Sequence, residues 1–270
     1  MSVKATSRER HLTVRMADSA ADRIAAQRLR YRVFVEELGA DGPTVDHANR
    51  RERDSFDQWY DHLLLVDRRR NPDDLDHVVG VYRLLRSDVA LAGPGFYSAA
   101  EYDLGPLLRS GHKLLELGRS CVAADSRGGA GMVLLWNALA AYVLRHEIKV
   151  MFGVASYHGT DIAPIARSLS YLGAHHLAPP EMRVRAHADH YQSLDLIPAE
   201  TISRAQAMAE TPALIKAYLR LGGVIGDGAY IDRDFNTTDV CLLMDTERMS
   251  ARHRASYIRK SGHHDPGAPA

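Results

Sequence analysis

The chain has 270 residues, 46% of them hydrophobic and 25% charged, with 34 Lys+Arg balanced by 34 Asp+Glu. That balance leaves no global field for nucleic acid or an anionic bilayer, and the length can bury a full core. Two cysteines, Cys121 and Cys241, are too few for a disulfide scaffold and predict reduced thiols and a cytoplasmic address. "HLTVRMA" alternates and predicts a short strand, after an N-terminus with no apolar run of signal-peptide length. "SAADRIAAQRLRYRVFVEELG" carries Ile24, Leu29, Val33, Phe34 and Leu38 at helical spacing and closes on Gly39. Residues 41–60 are polar, turn-rich and crowded with charge, the pattern of a long surface loop. "DHLLLVD" and "HVVGVYRLL" flank "RRRNPDDLD" as a hairpin with a charged turn. A helical patch near 98–109 leads to a strand at 112–124.

"GGAGMVLLWNALAAYVLRHE" is apolar around most of its circumference and predicts a buried helix. "IKVMFGVASY" is a continuous apolar run, as in a strand covered on both faces. "DIAPIARSLSYLGAHH" is helical, 179–211 is irregular with a helix at 200–209, and "PALIKAYLRLGG" is a further amphipathic helix. "GAYIDRD" and "DVCLLMD" supply closing strands, and a disordered tail is expected at 261–270. No run of eighteen apolar residues occurs. The order predicts an α/β chain with a mixed central sheet, helices on both faces, and one domain over 1–260.

The chemistry centres on "LELGRSCVAADSRGGAGM". Glycines opening a helix let an anion approach unpaired N–H groups, so Ser126, Arg127, Gly129 and Gly131 are candidates for a phosphate or pyrophosphate. More often such glycines are only a turn; no nucleotide-triphosphate loop or GxGxxG register fits. Glu116 and Arg119 stand three apart, which on a regular strand puts them on opposite faces unless a bulge re-aims one. The plain reading is an edge ion pair. The functional one is a carboxylate that takes the proton of an attacking amine beside a guanidinium that clamps a carboxylate. Cys121 has no histidine at a partner spacing and reads as a small buried hydrophobe. The fourteen histidines are scattered, His175 and His176 included, so no metal site is expected.

"LRYRVFVEELGA", "DSFDQWYDHLLLVD", "VVGVYRLL", "LELGRSCV" and "LIKAYLRLGGVIGDGAYIDRDFNTTDVCLLM" resemble, in order and spacing, the ornithine lipid-forming N-acyltransferases. That family belongs to the GNAT superfamily and is often labelled hemolysin-like; the resemblance runs over roughly residues 10–245. More distantly, the front half is similar to the acyl-homoserine-lactone synthases. Their Arg four before a Phe is matched by Arg30 and Phe34, their paired acids by Asp54 and Asp57, their strand Arg by Arg83, and their Glu-x-x-Arg by Glu116 and Arg119. Two features depart: Ala40 stands where an aromatic usually closes the first motif, and Ser126 occupies the first place of the Gln/Arg-x-x-Gly-x-Gly/Ala loop.

The resemblance implies a GNAT fold in which the 112–124 strand splays from its parallel neighbour, with the donor's 4'-phosphopantetheine arm in the cleft. Backbone N–H groups near Cys121, Val122 and Ala123 would meet the thioester oxygen, and Glu116 and Arg119 would face the cleft mouth. Asp54 and Asp57 would receive the acceptor's ammonium groups, Arg83 or Arg30 would assist Arg119, and Asp227, Asn236 and Asp239 are second-tier candidates. Tyr171 stands near where relatives place a thiol-protonating tyrosine. The implied reaction moves a 3-hydroxyacyl chain from acyl carrier protein to the α-amine of L-ornithine, giving lyso-ornithine lipid with no bound cofactor. An acidic carrier protein would dock on a basic rim, for which "RRR" at 68–70 and "RRER" at 50–53 are candidates. Contact with the inner membrane would come through the lipid product. Acylation of glycine or lysine, lactone formation, and a non-catalytic membrane-active protein are the alternatives.

Overall fold

The structure is a computed structural model that describes residues 11–127 and 129–247. The expected 261–270 tail lies outside the described residues. The elements follow in chain order: β1 (Leu12–Met16), α1 (Ala20–Arg30), β2 (Val45–Asp46), β3 (Arg51–Glu52), β4 (Asp61–Asp67) and β5 (Val78–Arg86). Next come α2 (Ser87–Ala92), β6 (Tyr102–Asp103), α3 (Gly105–Arg109), β7 (Leu114–Val122), α4 (Gly129–Arg145) and β8 (Val150–His158). The chain then forms α5 (Ala166–His175), β9 (Arg185–Ala186), β10 (Tyr191–Gln192), α6 (Arg204–Glu210) and α7 (Ala213–Arg220). It ends in β11 (Val224–Ile225), β12 (Ala229–Asp232) and β13 (Thr237–Asp245). The described residues fall into two compact units, one from 11–85 and 117–147 and the other from 86–116 and 148–247.

In the first unit β1 pairs antiparallel with β4, and β4 with β5, where His62 faces Arg83. The later half of β7 follows β5, and Ala123 N–H donates to Val79 O at 2.9 Å. Strand alternation puts Leu64 and Val66 under α1, together with Ala25, Ala26, Leu29, Val33, Val81 and Cys121 in one core. The other face takes α4. A Cβ on Gly80 would stand 3.0 Å from Leu65 Cβ and 3.1 Å from Leu135 Cδ1, and one on Gly131 3.0 Å from Leu65 Cδ2. These two glycines let the helix lie close on the sheet.

Three expectations change here. The helix predicted over 19–39 is α-helical only to Arg30 and continues as a π-helix over Tyr31–Glu37. Wide turns of this kind are rare and gather at functional sites. The loop over 41–60 is not all surface: it holds the β2–β3 hairpin, and Glu52, Asp57 and Tyr60 are buried. The helical patch near 98–109 is interrupted by β6, leaving a 3-10 turn at Tyr97–Ala100 ahead of α3.

In the second unit β7 runs parallel to β8 through Leu114↔Val150, Leu115↔Met151 and Glu116↔Phe152. β13 pairs antiparallel with β8 over nine residues, from Thr237↔His158 to Asp245↔Val150. Beyond it lie β12 and β10, with β11 also on β13. Phe152 packs edge-on against Phe96 at 5.0 Å. Tyr157, Ser168 and Thr211 form a buried hydroxyl chain (2.6 and 2.7 Å) that ties β8 to α5.

Candidate active site

The first unit gathers three arginines and three acids into a closed ring of alternating charge. Arg30, the last residue of α1, is fully buried because the apolar stripe of that helix turns it inward. Its Nε lies 2.6 Å from Glu52 Oε2, and its Nη1 and Nη2 lie 2.6 and 2.9 Å from the two oxygens of Asp57. Asp57 also receives Arg83 Nη1 at 2.9 Å, and that same nitrogen reaches Asp54 at 2.7 Å. Arg119 closes the circle, Nε at 3.2 Å from Glu52 Oε1 and Nη2 at 3.6 Å from Asp54 Oδ2. The last distance is the longest link, and it falls at the ring's most open side chain, Arg119 at 12% exposure.

Each member is placed by local structure. Asp54 accepts the N–H of Phe56 at 3.0 Å, which fixes the turn leading to Asp57. The Tyr60 ring lies under the Arg83 guanidinium at 4.5 Å. Arg119 has φ +47, a left-handed residue inside β7, and this breaks the two-residue alternation of the strand. Burial pushes the Asp57 carboxyl up, but Arg30 and Arg83 outweigh it and hold it well below the usual carboxylate range. Glu52 behaves likewise: burial opposes ionisation, and Arg30, Arg119 and Arg83 enforce it. His62, on β4, donates from Nε2 to Asp57 O (2.8 Å), and burial lowers its pKa.

Glu116 has a different setting. It is 1% exposed, and its two oxygens accept the N–H groups of Tyr97 (2.9 Å) and Ser98 (2.6 Å). The carboxylate therefore anchors the 97–100 turn, where a position facing a cleft mouth was expected. The Ala123 N–H, expected to be available to a thioester oxygen, is bound to Val79 O. Cys121 is buried in the α1 core, and burial pushes its thiol up to about 12, in keeping with a packing role. Phe34 packs against that same core from the π-helix. Arg127 donates to Val122 O at 2.9 Å and pairs with Glu37; Ser126 bonds to Asp125 at 3.0 Å. Gly131 serves close packing of α4 on Leu65.

The second-tier residues lie in the second unit. Asp239 groups with Glu101 and Asp232, their ligand atoms within 4.8 Å of one another, a set of the type that holds a cation. Asp227 pairs with Arg185 and accepts from Tyr191 Oη (3.1 Å) beside a cavity of about 310 Å³. Asn236 is a left-handed turn residue (φ +50) whose carbonyl takes the Gly159 N–H. The Tyr171 ring lies tilted against His175, centroids 4.4 Å apart. In the two basic runs, Arg69 and Arg70 meet Asp67 and Asp125, and Arg50 and Arg53 meet Glu36 and Asp46.

A GNAT acetyltransferase domain matches residues 29–137, the segment that holds the ring. An L-ornithine N(alpha)-acyltransferase of Rhodobacter capsulatus is 58% identical over 247 residues, covering 92% of this chain and 95% of its own. The chain belongs to the L-ornithine N(alpha)-acyltransferase family. A Brucella abortus member is 46% identical over 91% of this chain and 88% of its own length. The solved structure of FeeM, an N-acyl amino acid synthase from uncultured soil microbes, aligns at TM-score 0.51 and 11% identity over 88% of this chain and 92% of that one, which shows the shared fold.

Membership makes the chain an acyltransferase of GNAT type, with the mixed sheet expected. Among the described residues no helix is long and apolar enough to cross a membrane. The structure joins five residues named from the family pattern, Arg30, Asp54, Asp57, Arg83 and Arg119, and adds Glu52, which the sequence reading passed over inside "RRER". A signal was present: Glu52 stands two before Asp54, the same-face spacing of an extended segment, next to aromatics that need burial.

Proposed function

We propose that this acyltransferase moves a 3-hydroxyacyl chain from the 4'-phosphopantetheine arm of acyl carrier protein to the α-amine of L-ornithine, giving lyso-ornithine lipid. The names of the relatives support the acceptor. The observation that carries the mechanism is the long Arg119–Asp54 link (3.6 Å) in an otherwise tight ring. An amino acid brings the two charges needed to enter there: its carboxylate pairs with Arg119 and an ammonium with Asp54, so the alternation of charge survives. Ornithine has a second ammonium, which leaves its α-amine free to react as the neutral base. The nitrogen attacks the thioester carbonyl, a C–N bond forms, the C–S bond breaks, and the nitrogen's proton passes through water to the leaving thiolate. The seventeen-residue helix α4 offers its N-terminus to the single phosphate of the arm. Synthesis takes place in the cytoplasm, and the product brings the enzyme against the inner membrane.

The test is incubation of purified protein with carrier protein charged with labelled 3-hydroxyacid, against a panel of amino acids. Label should appear on ornithine. Transfer to glycine or lysine instead would replace the acceptor, lactone formation would replace the reaction, and no transfer to any amino acid would end the proposal.

A further inference from the structure

We infer that Glu52 is a positioning residue for acceptor recognition: from inside the ring it sets the direction in which Arg119 presents its guanidinium to the acceptor's carboxylate. The inference rests on the reading of Arg119 given above. Glu52 is wholly buried, so it acts on a substrate only through another group. Its two oxygens are divided between two arginines, Oε2 on Arg30 Nε at 2.6 Å and Oε1 on Arg119 Nε at 3.2 Å. Arg30 is itself immobilised, gripped by both oxygens of Asp57 and bonded to the Glu52 carbonyl at 2.5 Å. The Glu52 carboxylate is thus ion-paired with a fixed arginine and accepts a hydrogen bond from a more open one.

The point of attachment matters because a guanidinium is planar. Holding it by Nε fixes both its plane and the heading of its terminal Nη1–Nη2 edge, the edge that makes two parallel bonds to a carboxylate. Asp54 contributes a looser contact at 3.6 Å, beyond hydrogen-bond length. A shorter acid at position 52 would keep the charge of the ring and withdraw the support. Arg119 would keep its charge and lose its aim.

The experiment compares L-ornithine with its primary amide, which retains both amines but no carboxylate, and reads the ratio of kcat/KM for acid over amide. Two parallel charged bonds predict a wild-type ratio of roughly 100-fold. Arg119→Lys should lower that ratio, and so should Glu52→Asp, by about tenfold through the KM of ornithine, with kcat/KM for the amide falling by less than that for the acid. A purely structural role would lower both substrates together. Glu52→Gln serves as the second variant with the same readout.

A preserved ratio in Glu52→Asp, with Arg119→Lys impaired, overturns the positioning role and leaves the Arg119 reading intact. A wild-type ratio near one overturns the Arg119 reading, and with it this inference, while acyl transfer stands. Failure of both Glu52 variants to fold makes the residue a folding element and also overturns the inference.

Discussion

Replacing Glu116 by Gln separates an anchoring carboxylate from a proton acceptor. In the native site each oxygen receives one backbone N–H, from Tyr97 at 2.9 Å and Ser98 at 2.6 Å, in a position 1% exposed. A glutamine amide offers one oxygen to one of those donors and an NH₂ group to the other, so one buried N–H loses its acceptor. The cost of such a loss is about 1–3 kcal/mol. For a chain of this size, a 2 kcal/mol loss lowers Tm by roughly 4–8 °C. Thermal unfolding followed by circular dichroism measures this directly, and turnover with labelled acyl carrier protein is read well below the lowered Tm. The expected outcome is a clear fall in Tm with turnover within several-fold of wild type. An unchanged Tm with turnover lost by roughly 100- to 10,000-fold would refute the anchoring argument and make the carboxylate the group that takes the proton.

Asp57→Asn removes a negative charge that faces both Arg30 and Arg83 in the buried ring, and should destabilise the protein by about 3–5 kcal/mol in urea unfolding. Acid removes the same charge reversibly. The folded carboxyls of Asp57 and Glu52 are lowered, so below the ordinary carboxylate range the unfolded chain binds more protons than the folded one. Their stabilisation is full above about pH 5 and falls as pH drops; the His62 pKa, lowered by burial, adds a loss of the same sign beginning near pH 6.5. Urea midpoints measured from pH 8 to pH 4 should therefore fall monotonically, with a shallower fall in Asp57→Asn. Cys121→Ala should keep turnover and cost on the order of 1 kcal/mol, and the native thiol should resist alkylation until the protein unfolds.

The periodic parts of the fold were legible in the sequence. The alternation and apolar runs of β4, β5 and β8 and the amphipathic stretch of α1 report which faces are covered, and those faces are the ones that pack. Where charge was read by composition alone, the reading failed. Residues 50–53 look solvated as a run, yet Arg50 pairs outward with Glu36 while Glu52 turns inward to Arg30 and Arg119. Arg50 is left-handed (φ +52) just ahead of β3, so it leaves the face that Glu52 takes, and no window of charge sees that turn. The family pattern named five members of the ring because it records which residues act together; Glu52, absent from that pattern, emerged only from distances. The main-chain contacts of Glu116 were out of reach for a different reason. Its partners are backbone N–H groups nineteen and eighteen positions earlier, and a main-chain donor has no letter of its own. The π-helical continuation of α1 and the left-handed residue at Arg119 also lack a sequence signature.

The left-handed backbone at Arg119 has a consequence for anyone who wishes to substitute this residue. For an ordinary L-residue this conformation costs about 1–2 kcal/mol, and branched side chains resist it most. A library built at this site would therefore be filtered first by chain path and only afterwards by chemistry. Asn, Asp and Gly would survive that filter, while Val, Ile and Thr would straighten the strand and move every residue that follows. Substitution within the ring is better begun at Asp54, whose backbone is not left-handed.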